Sequence, residues 1–441
     1  MQSHADLAER YRSTRALTEA LAEPLSAEDQ TVQSMPDVSP TKWHRAHTTW
    51  FFETFILESH LADFAPYDAQ FRYLFNSYYE GIGPQFTRAM RGLVSRPGAA
   101  EVGKYRTHVD ASMADLLHSR PEVVSELTEL GINHEQQHQE LLLMDIKHVL
   151  SINPLQPVYR PDMGYCAPHP PSAELGWLPL DPTGLVEVGY EGDGFCFDNE
   201  LPRHRLHLYP FEIADRLVIA GEWLEFIEDG GYERPDLWLS DGWHTVRAQG
   251  WQAPLYWTRD GSDWLVHTLG GTRAVDPAEP VCHVSHYEAD AFARWAGARL
   301  PTEFEWEFAV ATLGSGPVRP LDLDRLHPNP AVPGGGLQQA FGECWQWTSS
   351  AYLPYPGYEP AAGAIGEYNG KFMSNQMVLR GSCAYTPSGH QRPTYRNFFP
   401  PPRGGCWPAS GWHEGESDES DNNNRWACRA HIRDPRRRAL A

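Results

Sequence analysis

The sequence predicts an α+β protein, with an N-terminal helical bundle over residues 1–152 and a loop-rich domain of short strands over residues 153–441. Three observations predict it. The chain has 441 residues, more than one hydrophobic core ordinarily organises. Its first third is poor in Gly and repeats apolar side chains at helical spacing, as in Leu7, Tyr11, Leu17 and Leu21 and again in Leu127, Leu130, His134, Leu141 and Leu142. Past residue 152 the texture changes to Gly, Pro, Trp and short extended runs.

In chain order, the periodicity predicts helices over 3–22, 40–59, 99–118 and 121–151, with boundaries at Ser39-Pro40 and Arg120-Pro121. Between the second and third lies Phe71 to Pro97, a stretch too long for a mere connector and therefore a place to look for function. The second domain shows two clear helices, 220–228 and 286–297. A domain so rich in loops needs side-chain hydrogen bonds and aromatic plugs, which accounts for much of the content of 16 Trp, 19 Tyr and 18 Phe. No repeat of fixed period is present. His413 to Asn424 is too polar to pack and reads as a surface loop.

Apolar residues make up 41% and charged residues 21%, as in ordinary globular proteins. A formal charge of -22 argues against nucleic acid as a partner, because phosphate binding needs clustered Lys and Arg. No run approaches the roughly 18 apolar residues of a membrane span, and the opening MQSHADLAERYR lacks a basic segment followed by an apolar one, so a cytoplasmic location is expected. Seven cysteines from Cys166 to Cys428, with no CxxC pair, predict reduced thiols.

The chemistry-bearing motif is His134-Glu135-Gln136-Gln137-His138 on a predicted helix. The i, i+4 spacing sets two imidazoles on one face, at a separation that suits a single metal ion. The same letters satisfy HExxH, so a zinc hydrolase with Glu135 as general base is one alternative. A pair of surface histidines is the other. The best third ligand is His47, in WHRAHTTW on a second bundle helix. His44 lies one turn earlier and competes, although its neighbours Lys42 and Arg45 suggest an exposed position. Imidazole suits iron, zinc and copper about equally, so the ligand type names no metal.

SPTKWHRAHTTWFFETF, FNSYYEG, HEQQHQE, ARLPTEFEWEFA, WTSSAYLPYPGY, GEYNGKFM, VLRGSC and TYRNFF together resemble the ergothioneine-biosynthetic sulfoxide synthases over nearly the whole chain. The resemblance implies a DinB-like four-helix bundle joined to a formylglycine-generating-enzyme-like domain of C-type-lectin-like fold. It implies Fe(II) held by His47, His134 and His138, and small-molecule substrates: hercynine, a thiol and O2. Gln137 would then bond the hercynine imidazole, Asn397 its carboxylate, and Phe398 and nearby Phe399 would face its trimethylammonium.

Tyr78 and Tyr79 match the branch of the family with a Tyr-Tyr pair in the bundle loop, and are the expected proton donors. The stretch Ile365-Gly366-Glu367-Tyr368 is expected to lack the catalytic tyrosine that another branch carries there. Members that use gamma-glutamylcysteine have an Arg pair where this chain has Ile82 and Gln85, and an Asp where it has Phe399, so the resemblance favours free cysteine. Arg88, Arg91 and Arg96 are further candidate carboxylate partners. The chain departs from the family in the insertion at 404–428. Gamma-glutamylcysteine or a selenium donor, and a non-catalytic binding protein, complete the alternatives.

Overall fold

The structure is a computed structural model and describes residues 4–163, 169, 172, 174–332, 334–402 and 432–433. The expected polar loop at His413–Asn424, the insertion at 404–428, and Cys166, Cys406 and Cys428 lie outside the described residues. The four described cysteines are free thiols. Among the described residues no helix is long and apolar enough to cross a membrane. Two compact units divide the chain, one formed by Met1–Arg160 with Ala361–Tyr368, the other by Pro161–Pro360 with Asn369–Ala441.

The first unit is built on four long helices: α1 (His4–Ala22), α2 (Thr41–Phe51), α3 (Ala99–Ser119) and α4 (Pro121–Ile152). Pro121 opens α4 at a position where its missing N–H costs nothing. Helix α1 lies along α4, and α2 packs on both α3 and α4. Leu7, Tyr11 and Leu21 of α1 and Val124, Ile132, Leu142 and Leu143 of α4 supply apolar burial. The centre of the unit is unusually polar. Arg15, Arg106 and Glu135 are all buried there and joined by hydrogen bonds. The predicted helix at 40–59 is not uniform: α2 gives way at Phe52–Leu57 to a π-helical turn, a feature that concentrates near functional sites. Phe71 to Pro97 is mostly irregular, with short turns at Phe71–Leu74 and Arg88–Leu93.

The second unit consists of small antiparallel sheets. Strand β1 (Trp177–Leu180) pairs with β4 (Phe211–Ala214), which also pairs with Ile432–Arg433; β2 (Leu185–Val188) pairs with β3 (His204–His207). A meander joins β5 (Trp257–Asp260), β6 (Asp263–Thr268) and β7 (Gly271–Ala274). In the last sheet β9 (Met377–Gly381) lies between β8 (Trp345–Ala351) and β10 (Asn397–Phe399). Fully buried indoles plug the loops and find polar partners: Trp306 donates to Gln346 at 2.7 Å and Trp347 to the Val284 carbonyl at 3.0 Å.

The two predicted helices of this unit are α5 (Ala220–Glu228) and α7 (His286–Trp295). Two more correct the sequence reading: α6 (Ser240–Gln249) and α8 (Glu303–Leu313). Helix α6 buries only Gly242 and Val246, too thin a stripe to register as periodicity. Helix α8 carries apolar residues all round and so shows no stripe. Its signal was the capping box, in which Thr302 accepts from the Glu305 N–H while the Glu305 carboxylate accepts from the Thr302 N–H.

Candidate metal centre

Helix α4 places His134 and His138 one turn apart, and α2 brings His47 to the same point. The ring centroids are 4.7 Å apart for His134–His138, 4.7 Å for His47–His138 and 5.0 Å for His47–His134. One ring nitrogen from each lies within 4.8 Å of the other two, a spacing that allows all three to meet one ion. All three side chains are buried.

Each imidazole is held differently. His47 donates its Nδ1–H to the Phe75 carbonyl at 2.6 Å and stacks between Trp43 (4.6 Å, 11°) and Trp50 (5.6 Å, 12°), so its Nε2 is left without a partner. His134 has no hydrogen-bond partner at either ring nitrogen. His138 is bonded through Nδ1 to Nδ1 of His44 at 2.9 Å, and His44 Nε2 reaches Asp145 Oδ2 at 2.9 Å. His44, expected near solvent, is therefore buried, as are its neighbours Lys42 and Arg45. The expectation failed because Arg45 spends its charge inside the unit, on Glu19 and Gln30.

Burial, reinforced by the neighbouring imidazoles, holds His47 and His138 well below the usual histidine range, and burial pushes His134 down to about 4. Neutral imidazole is the form that ligates a metal. Orphaned, buried, mutually facing nitrogens are costly unless something occupies their centre, so the donor set fits a metal ion.

Glu135 does not share that centre. Its oxygens accept from Arg15 at 2.8 Å, Arg106 at 2.9 Å and Thr18 at 2.6 Å. Burial would raise this carboxyl, but Arg15 and Arg106 outweigh burial and hold it at about 2. A general base must be free to reach its proton and poised near neutrality. This one is neither, which removes the physical basis for an HExxH hydrolase.

The expected proton donors lie beside the triad. Tyr78 meets His47 edge-on at 6.4 Å, while Tyr79 contacts Trp50, Phe55 and Tyr78. Burial raises both phenols, so both keep their protons. The stretch expected to lack a catalytic tyrosine at the matching position nonetheless places Tyr368 beside the triad. Tyr368 stands 6.1 Å from the His134 ring and 5.9 Å from Tyr78, and its hydroxyl donates to Gln137 Oε1 at 2.5 Å. Glu367, next to it, accepts the backbone N–H groups of Glu80 and Gly81, both at 2.9 Å, and so fixes this segment to the tyrosine loop.

Arg91 is buried, donates to Ser39 and Ser77, and lies 3.4 Å over the Trp43 ring. Arg88 donates to the Asp37 carbonyl. Arg96 donates to the carbonyl of Ser95. Asn397, Phe398 and Phe399 form β10 of the second unit, where Asn397 accepts from the Phe398 N–H and Phe398 stacks on Tyr352 at 4.0 Å. Sequence reasoning missed Asp145, Tyr368 and the roles of His44, Trp43 and Trp50. The available signal was spacing: His44 is one turn before His47, and Asp145 two turns after His138, on the ligand faces of their helices.

Residues 180–320 match the sulfatase-modifying factor enzyme 1-like domain family. The chain is 34% identical to a hercynine oxygenase of Mycolicibacterium smegmatis over 62% of this chain and 68% of that protein. It is 31% identical to a hercynine oxygenase of Mycobacterium tuberculosis over 74% of this chain and 80% of the relative. A formylglycine-generating enzyme of Streptomyces coelicolor is 28% identical over 43% of this chain and 72% of its own length.

Proposed function

The chain belongs to the hercynine oxygenase family, and from that premise we propose that it is an O2-dependent sulfoxide synthase that joins C2 of the hercynine imidazole to the sulfur of L-cysteine. The observation that carries the reading is the buried triad of His47, His134 and His138, with one ring nitrogen of each within 4.8 Å of the other two and unpartnered nitrogens on His47 and His134. The ion is Fe(II), which when bound supplies O2 activation and a common anchor for both substrates.

The chain's own residues supply the rest. Trp43 and Trp50 keep His47 in one orientation by stacking on it and exclude water from the ligands. Gln137 presents its amide to the hercynine imidazole, and Tyr368, hydrogen-bonded to that amide, sets its direction. The proton needed during turnover is held on a phenol. Among the described residues, Tyr78 and Tyr368 are the tyrosines whose rings meet ligand histidines, whereas Tyr79 packs behind Tyr78. Asn397 binds the hercynine carboxylate, and Phe398 and Phe399 supply rings for its trimethylammonium. Arg91, held by two serines and an indole, is the buried cation for a thiol substrate's carboxylate, with Arg88 beside it. Cysteine is preferred because Ile82 and Gln85 offer no positive charge for a longer, doubly charged donor.

The test is anaerobic loading with Fe(II), hercynine and cysteine, followed by oxygen and mass spectrometry. The expected product is the cysteine adduct carrying one sulfoxide oxygen. The proposal is overturned if no O2-dependent adduct forms with cysteine, gamma-glutamylcysteine or a selenium donor.

A further inference from the structure

The three candidate ligands receive unequal support from the protein behind them. His47 is hydrogen-bonded to a backbone carbonyl and stacked between indoles, and His134 makes no hydrogen bond through its ring. Of the three, His138 alone is hydrogen-bonded to a side chain, the first of two in series. His44 Nδ1 stands 2.9 Å from His138 Nδ1, and His44 Nε2 stands 2.9 Å from Asp145 Oδ2. That carboxylate oxygen also accepts the Ser39 N–H at 2.8 Å, just ahead of α2. All three side chains of the series are buried.

One proton arrangement satisfies both contacts and leaves His138 a lone pair for a metal. A carboxylate only accepts, so His44 carries its proton on Nε2 and gives that bond to Asp145. For His138 to offer Nε2 to a metal it must carry its proton on Nδ1, and the His44 Nδ1 opposite, with the His44 proton on Nε2, accepts it. The lone pair of His138 is thereby placed on Nε2, the nitrogen available to the metal. Were either link missing, the Nδ1 and Nε2 tautomers of His138 would be closer in energy and its ring free to turn.

We infer that His44 and Asp145 form a relay that fixes the tautomer and orientation of His138 and strengthens it as a donor to the metal, so that both are positioning residues of the centre. The inference rests on the reading of His138 as a metal ligand, and it assigns a purpose to the spacing of the two helices. His44 is three residues before His47 on α2, and Asp145 is seven after His138 on α4, so one pair of helix faces carries both the ligands and the relay. Outer partners of this kind typically govern metal affinity by about 10- to 100-fold.

The test is anaerobic titration of Fe(II), and of Co(II) as an optical probe, into the metal-free full-length protein. His134→Ala marks loss of a ligand. We expect one ion per wild-type chain, none retained by His134→Ala, and binding weakened about 10- to 100-fold in His44→Ala with an altered Co(II) absorption envelope. His44→Gln keeps an acceptor for the His138 Nδ1–H and recovers part of the loss. Asp145→Asn, nearly isosteric, weakens binding less than His44→Ala and serves as the test variant if His44→Ala does not fold. Wild-type affinity and spectrum in His44→Ala and Asp145→Asn, with His134→Ala defective, would overturn the relay while leaving the triad intact. If the wild type binds neither ion, the metal reading fails and the relay with it.

Discussion

Each unit buries a cluster of polar side chains, and the two clusters are satisfied to different degrees. In the second, the Glu303 carboxylate is buried among Arg380 and Arg396, with Nε of Arg396 at 2.8 Å, Nη2 of Arg380 at 2.9 Å and the Tyr355 hydroxyl closing the knot. In the first, three imidazoles are buried together with nitrogens left unanswered at His47 and His134. The Glu303 carboxylate is answered by its own neighbours, and removing it would strand two buried guanidinium groups. An open cluster is tolerated where an ion or substrate completes it, so the contrast separates structural polarity from functional polarity within one chain.

The sharpest way to break that contrast is to delete from each side. His134→Ala should abolish turnover and metal uptake yet cost the metal-free protein less than about 2 kcal/mol, because no hydrogen bond is lost. The comparison fails if thermal denaturation shows a larger loss. Tyr78→Phe and Tyr368→Phe, which remove one hydroxyl each, should lower sulfoxide formation by about 10²- to 10⁴-fold or divert the thiol to dioxygenation. Product analysis that finds normal sulfoxide in both would move the proton donor elsewhere.

Glu303→Gln and Glu135→Gln, by contrast, each strand buried guanidinium groups and should cost about 3–5 kcal/mol by denaturant titration. The Glu135 variant carries a pH signature. Its folded carboxyl lies at about 2, below the ordinary value of about 4.3 for an unfolded chain. The stabilisation is therefore complete above that ordinary value and fades as pH falls toward about 2. Wild type should lose stability across this window more steeply than Glu135→Gln. The smallest effect belongs to Glu367→Gln, which keeps shape but loses the charge that accepts two N–H groups. About 1 kcal/mol of local stability should go, read as faster amide exchange at Glu80 and Gly81.

The sequence was most informative where one periodicity governed one element. The four bundle helices and the His134/His138 pair fall out of helical spacing, and His47 out of the need for a third donor on a partner helix. Helix α8 was invisible because its apolar residues run all round it, and α6 because it is hardly buried at all. His44 was misjudged for a related reason. Charged neighbours ordinarily signal solvent, but Arg45 and Lys42 are buried, Arg45 with partners scattered through α1 and the loop that follows it. Tyr368 was set aside although its stretch was singled out, since it lies 231 positions from its partner Gln137 and joins the first unit only through the folded chain.

That eight-residue excursion, Ala361–Tyr368, bears on how such a protein can be taken apart or recombined. A fragment ending at Arg160 would keep all three histidines, His44 and Asp145, and could hold a metal, but it would lack Tyr368 and the carboxylate that braces the Glu80–Gly81 backbone. A chimera that takes its bundle from one relative and its loop-rich domain from another would join a foreign tyrosine to a native glutamine. Exchanging the two halves at their apparent border is thus not a neutral cut. The transferable module is discontinuous in the gene, and a graft that carries Ala361–Tyr368 along with the bundle is the one expected to inherit its chemistry.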